Sequence, residues 1–184
     1  MLALVLIANL SGNVTNLDDV VRAQSGDRAA FGRLFERYGR LVHGVLLARV
    51  QRADADDLMH DVFVHALSRL PTLKNAESVG GWLVAMARNR AADLARKPEL
   101  VELPNDLSVL DPRRAEANQV LAVIRSMPEA YRETLVLRLV EGMSGKEIAE
   151  ETGLTAESVR VNLHRGMKLL RERLGLKPNE GDAP

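Results

Sequence analysis

Leu58, Val62, Ala66 and Leu70 follow one another at intervals of four, and a chain that repeats apolar residues at that interval folds as helix. Helical spacing also runs through Ala30, Phe31, Leu34, Phe35, Tyr38, Leu41, Val42 and Val45, and again through Trp82, Leu83, Met86, Ala87, Ala91 and Leu94. No stretch alternates apolar and polar residues long enough to read as a strand, so the fold class is all-α. Pro71 is expected to end the Leu58–Leu70 helix, because proline disfavours helical geometry in the residue before it. Ser78 is the expected N-cap of the next one. Between 98 and 118 the periodicity lapses, and Pro98, Pro104 and Pro112 punctuate an acidic stretch that reads as a flexible linker. Fully extended, it would reach on the order of 70 Å, about two turns of B-DNA. The expected organisation is an N-terminal extension (1–27), a small helical domain (28–97), the linker (98–118), a second small helical domain (119–177) and a tail (178–184).

Composition narrows the chemistry. With no cysteine, the chain has no disulfides, thiolate nucleophile, zinc finger or iron–sulfur cluster. His60-Asp61 resembles the start of a metal phosphohydrolase site, but His43, His65 and His164 do not supply the remaining ligands at metal-binding spacing. No catalytic residue, metal or cofactor is therefore expected. The apolar run Met1 to Leu10 is half the roughly 20 residues that span a bilayer, and no basic residue precedes Arg22. A cytoplasmic protein without membrane insertion is expected. The 25 basic and 25 acidic residues cancel, which at face value argues against a general nucleic-acid coat protein.

The C-terminal domain carries the most informative local signals. Ser144-Gly145-Lys146-Glu147 has the form of a capping box, Gly153 permits a left-handed turn, and Thr155 can cap a following helix. That helix places Val159, Leu163, Met167, Leu170 and Leu174 on one face and Arg160, His164, Lys168 and Arg171 on another, with Arg165 beside them. Two helices joined by a glycine-bearing turn, the second with a basic outer face, form a helix-turn-helix that reads the DNA major groove. Arginine there can pair with guanine or hold phosphate. Charge is segregated accordingly. Residues 160–177 carry six cations against Glu172, whereas 141–157 carry Lys146 against five glutamates.

Two stretches of the first domain identify the family. Asp54-Ala55-Asp56-Asp57-Leu58-Met59-His60-Asp61-Val62-Phe63-Val64-His65-Ala66-Leu67 and Trp82-Leu83-Val84-Ala85-Met86-Ala87-Arg88-Asn89-Arg90-Ala91-Ala92-Asp93 resemble region 2 of bacterial sigma factors, in the extracytoplasmic-function (ECF) group of the sigma-70 family. Glu147-Ile148-Ala149 through Leu163-His164-Arg165 is similar to that group's region 4. The resemblance implies a factor that binds core RNA polymerase, recognises promoters and helps to open them. It implies polymerase docking through Asp54, Asp56, Asp57, Leu58, Asp61, Val62 and Phe63, an acidic helix with apolar anchors suited to a basic groove. It implies minus-ten recognition by Arg88, Asn89, Ala92, Asp93 and Arg96, with Leu73, Lys74, Asn75, Ala76 and Glu77 lining a pocket for an extruded base. Ser158, Arg160, Val161, His164, Arg165 and Lys168 would contact the duplex minus-thirty-five element.

The resemblance further implies an anti-sigma partner and a monomer when free. An ordinary helix-turn-helix regulator with a dimerisation or sensor module is the alternative, and it predicts a symmetric dimer on a palindrome. The sequence departs from the family pattern at Gly80 and Gly81, where helix formers are usual and each glycine costs about 1 kcal/mol relative to alanine. Fraying of that helix start is expected. His60 replaces a common glutamine and Leu67 a common tryptophan.

Overall fold

The structure is a computed structural model in which residues 16–96 and 112–176 are described. Residues 16–24 are helical (α1) and precede α2 (Arg28–Leu47), α3 (Arg52–Arg69) and α4 (Val79–Arg96). Two short 3-10 turns, Leu70–Thr72 and Ala76–Ser78, link α3 to α4. The second domain holds α5 (Pro112–Arg125), α6 (Glu129–Leu139), α7 (Gly145–Thr152) and α8 (Ala156–Arg173). No strand occurs among the described residues.

The N-terminal core follows from the apolar spacing. Leu34, Tyr38, Leu41, Val42 and Val45 of α2 meet Val62, Phe63 and Ala66 of α3 and Leu83, Val84, Ala87 and Ala91 of α4, all buried. Phe63 packs edge-on to Phe31 at 6.3 Å and tilted against Phe35 at 4.6 Å, the offset geometries that aromatic quadrupoles favour.

Three boundaries differ from the sequence expectation. Residues 16–24, expected as an extension, form a helix whose Val20 and Ala23 are buried in the core. The Gln24 side chain also donates to the carbonyls of Leu70 and Leu73 at 3.1 and 2.8 Å. Asp27 joins the two elements. Its carboxylate caps α2 through the Ala29 and Ala30 amides and also takes the Arg22 guanidinium, which together hold its pKa below the ordinary carboxylate value. Second, α5 begins at Pro112, so 112–118 are helix and not linker; proline fits the first helical position, where its missing N–H has no partner to lose. Third, Ser78 lies in a 3-10 turn that Asn75 caps by accepting the Glu77 amide at 3.0 Å, so Ser78 is not the N-cap. Residues 1–15, 97–111 and 177–184, hence the apolar N-terminus, most of the expected linker and the tail, lie outside the described residues.

In the second domain the middle of α6 is enclosed, with Glu133, Thr134, Leu135, Val136 and Leu137 all buried, while its two ends are exposed. Helices α5 and α8 cover one side of it, and α2 covers the other. Gly166 sets the α6–α8 crossing, because a Cβ there would lie 3.1 Å from Leu135 Cδ1 and 3.2 Å from Tyr131 Cβ. The two domains therefore pack on each other, α6 on α2 and α7 on α4.

Candidate nucleic-acid and partner interfaces

The helix-turn-helix forms as its caps dictate. Ser144 Oγ accepts the Glu147 amide at 3.2 Å, and the Glu147 carboxylate accepts the Ser144 amide at 2.7 Å. The backbone hydrogen bond from Ser144 also holds the Glu147 pKa below the ordinary value. Gly153 ends α7 at φ 74°, a left-handed conformation that glycine adopts without the Cβ clash. Thr155 Oγ1 then accepts the Ser158 amide at 3.1 Å to start α8. Val159, Gly166 and Leu170 are buried, which turns His164, Arg165 and Lys168 to solvent, with Ser158 and Val161 half-buried between them. Arg160, also exposed, is held along its own helix by Glu157 at 2.6 and 3.0 Å. All six expected minus-thirty-five residues thus lie on the side of α8 away from its core contacts.

On α4, Asn89, Ala92, Asp93 and Arg96 are exposed, with Arg96 and Asp93 paired at 2.5 Å. Arg88 differs from expectation. Its guanidinium grips Glu133 of α6 at 2.7 and 3.2 Å, a bidentate pair that raises its pKa. Its guanidinium reaches toward α6 while the side chain stays 41% exposed. In the preceding turn Lys74, Asn75 and Glu77 are exposed, whereas Leu73 and Ala76 pack partly into the core. Gly80 is buried beside Glu151 of α7 and Gly81 is exposed, and both lie inside α4, which is helical from Val79 where fraying was expected.

The acidic helix α3 exposes Asp56, Asp57 and Asp61, with Asp54 and Leu58 half-buried. Val62 and Phe63 are corrections: at 0% and 4% exposure they are core and offer no surface anchor. The apolar side chains on the acidic face are Val64, 71% exposed, and Leu67, 47% exposed. Sequence reasoning missed both as anchors. The signal was present, because Asp57, Asp61, Val64 and Leu67 follow one another at intervals of four, three and three, the spacing of helical neighbours.

A histidine sits where three elements meet. His43 of α2 lies 2.8 Å from Glu141, which follows α6, and 3.2 Å from Asp56 of α3. Arg40 is nearby on α2, donating to the Glu141 carbonyl at 3.4 Å. The hydrogen bond to Glu141 raises the His43 pKa, and both carboxylates add to it against burial. A raised folded-state pKa stabilises the fold fully below the unfolded value of about 6.5 and loses that contribution as pH rises through the folded value. The difference in thermal midpoint between wild type and His43→Gln should therefore be largest in mild acid and shrink above neutrality. A difference that does not vary with pH would show that His43 stays neutral throughout.

Among the described residues no three His, Asp or Glu side chains cluster to hold a metal, and no helix is long and apolar enough to cross a membrane.

Comparison with known proteins agrees with this architecture. Residues 34–99 match the model for sigma-70 region 2, and residues 117–170 match that for sigma-70 region 4. The chain is 28% identical over 178 residues to the ECF RNA polymerase sigma factor BldN of Streptomyces coelicolor, covering 89% of this chain and 67% of that protein. It is 26% identical over 175 residues to the ECF sigma-E factor of Haemophilus influenzae, covering 84% and 93%. Among solved structures it resembles CnrH in complex with the cytosolic domain of CnrY, with a TM-score of 0.64 and 26% identity, covering 88% of this chain and 97% of CnrH.

Proposed function

This chain belongs to the extracytoplasmic-function group of the sigma-70 family, and we propose that it performs that group's task through three faces of the fold. As a sigma factor it binds core RNA polymerase and directs promoter recognition and transcription initiation. Residues 16–96 make the region 2 unit and 112–176 the region 4 unit. Asp56, Asp57 and Asp61 with Val64 and Leu67 dock on polymerase: carboxylates steer the encounter and the two apolar side chains supply the buried contact. Arg88, Asn89, Ala92, Asp93 and Arg96, with the turn residues Lys74, Asn75 and Glu77, receive the melted minus-ten strand. Ser158, Arg160, Val161, His164, Arg165 and Lys168 contact the minus-thirty-five duplex.

The observation that carries this reading is the pairing, in one chain, of an acidic helix face bearing exposed Val64 and Leu67 with a capped helix-turn-helix bearing exposed cations. The chain acts as a binding factor and not as a catalyst, and it works in the cytoplasm, where its polymerase is. CnrH was solved with the cytosolic domain of CnrY, which supports control of this chain too by an anti-sigma protein.

The purified chain with core polymerase on a promoter library should give specific initiation above core alone, and size-exclusion chromatography should show a monomer. No initiation on any template, together with a symmetric dimer on a palindrome, would replace this reading with that of an ordinary helix-turn-helix regulator.

A further inference from the structure

We propose that the turn between α5 and α6 is a binding site for a small diphosphate-bearing anion, in which Arg125, Arg132 and Arg173 supply the positive charge. The site is separate from the polymerase and promoter faces and stands whether or not those assignments hold.

The three arginines meet at this turn on neutral acceptors. Arg132 Nη1 donates to the Arg125 carbonyl at 3.3 Å, and Arg173 Nη1 donates to Ser126 Oγ at 2.6 Å. Arg125 reaches the other way, donating Nη1 to the Val50 carbonyl of the first domain at 3.3 Å. The carbonyl end of a helix offsets only about half a unit charge, so these hydrogen bonds leave most of the positive charge uncompensated.

The carboxylates of α6 are already taken. Glu129 pairs with Arg49 at 3.0 Å, and Glu133 lies between Arg49 at 2.8 Å and Arg88 at 2.7 Å. Among the described residues, Arg125, Arg132 and Arg173 have no ion-pair partner. Two further features favour an anion here. Arg132 Nε is buried and has no hydrogen-bond acceptor among the described residues, a donor that an anionic oxygen would satisfy. The Arg125 guanidinium is half-buried, and burial alone lowers its pKa, with no acidic neighbour to counter it. A cation drawn out of water in this way is stabilised by a charge of opposite sign.

Exposure and reach define the ligand. Ser126 and Arg173 are exposed whereas Arg125 and Arg132 are half-buried, so the cations line a surface open to solvent. Arg125 and Ser126 are consecutive, and their two acceptor atoms hold the Arg132 and Arg173 Nη1 atoms at most about 11 Å apart. A diphosphate with its hydrogen bonds spans that distance, one phosphoryl group on each planar guanidinium fork. Duplex DNA is the less suitable source of phosphate. Arg173 lies about 22 Å along α8 from Ser158, where the proposed duplex face begins, and the turn abuts Val50 of the first domain.

Isothermal titration of the full chain with inorganic pyrophosphate, at fixed ionic strength, should show saturable binding of one equivalent with Kd on the order of 0.1 mM. Arg173→Gln, at an exposed position where the fold tolerates the change, should weaken that binding by about 10-fold. Arg160→Gln removes the same charge from the same helix outside the site and should leave the affinity unchanged. A nucleoside diphosphate titrated alongside identifies the source: tighter binding than pyrophosphate assigns the site to a nucleotide, and equal binding assigns it to the inorganic anion. No saturation up to about 10 mM, or an equal loss in the two variants, would overturn the proposal, because the attraction would then be general electrostatics. It would be overturned equally if Arg173→Gln weakened binding to a non-promoter duplex and left pyrophosphate binding intact, since the arginines would then serve DNA.

Discussion

Val64→Glu combined with Leu67→Glu is expected to lower affinity for core polymerase on the order of 100-fold, about 2.7 kcal/mol, while leaving the fold intact. Both side chains stand in solvent on the acidic face of α3, at 71% and 47% exposure, so replacing them costs the free protein little. On docking they are the side chains of that face with apolar area to bury, and a carboxylate in either place would have to be desolvated against the partner. The distinguishing control is Val62→Glu. Val62 is fully buried, and its replacement should unfold the N-terminal domain and not merely weaken docking. Affinity measured by fluorescence anisotropy, with circular dichroism on the same samples, separates the two. Wild-type affinity in the double variant would remove α3 as the docking face.

Leu135→Ala should cost about 3 kcal/mol of stability, within the range for emptying a fully enclosed leucine site. The reason for a large value is the close crossing at Gly166, where even an added Cβ would lie within 3.2 Å of Leu135 and Tyr131. Helices in such contact cannot readily collapse into the void, so the cavity remains. A domain of about 60 residues has little stability to spare. Leu137→Ala empties an equally enclosed site, but its neighbour is Gly44 of the other domain. Urea unfolding of the full chain should show Leu135→Ala melting the C-terminal domain early, whereas Leu137→Ala should mainly loosen the domains from each other. Identical transitions in the two variants would mean that α6 belongs to a single cooperative unit.

Much of the helix-turn-helix was legible in the sequence because its signals are local. Ser144 and Glu147, Gly153 and Thr155 act on amides within four residues of themselves, and the structure shows each acting as the spacing predicts. Helix α3 was legible as an acidic amphipathic helix but not as a surface. Val62, Phe63 and Val64 are consecutive apolar residues, and periodicity alone does not say which of the three points away from the core. Gly80 appeared as a departure from good helix chemistry, and its reason lies on another element, in the carboxylate of Glu151. Residues 16–24 carried too little apolar periodicity to be assigned, yet Val20 and Ala23 complete the core.

The sequence by itself determined the helices, their caps, the turn between α7 and α8 and the segregation of basic from acidic segments, since each depends on neighbours three or four positions apart. Only the tertiary structure decided that Val64 and Leu67 face solvent, that Arg88 is held by Glu133, and that His43 answers to Glu141, 98 positions away. Those outcomes depend on which helix faces are brought together by burial, and burial is a property of the assembled core that no local window of the chain contains.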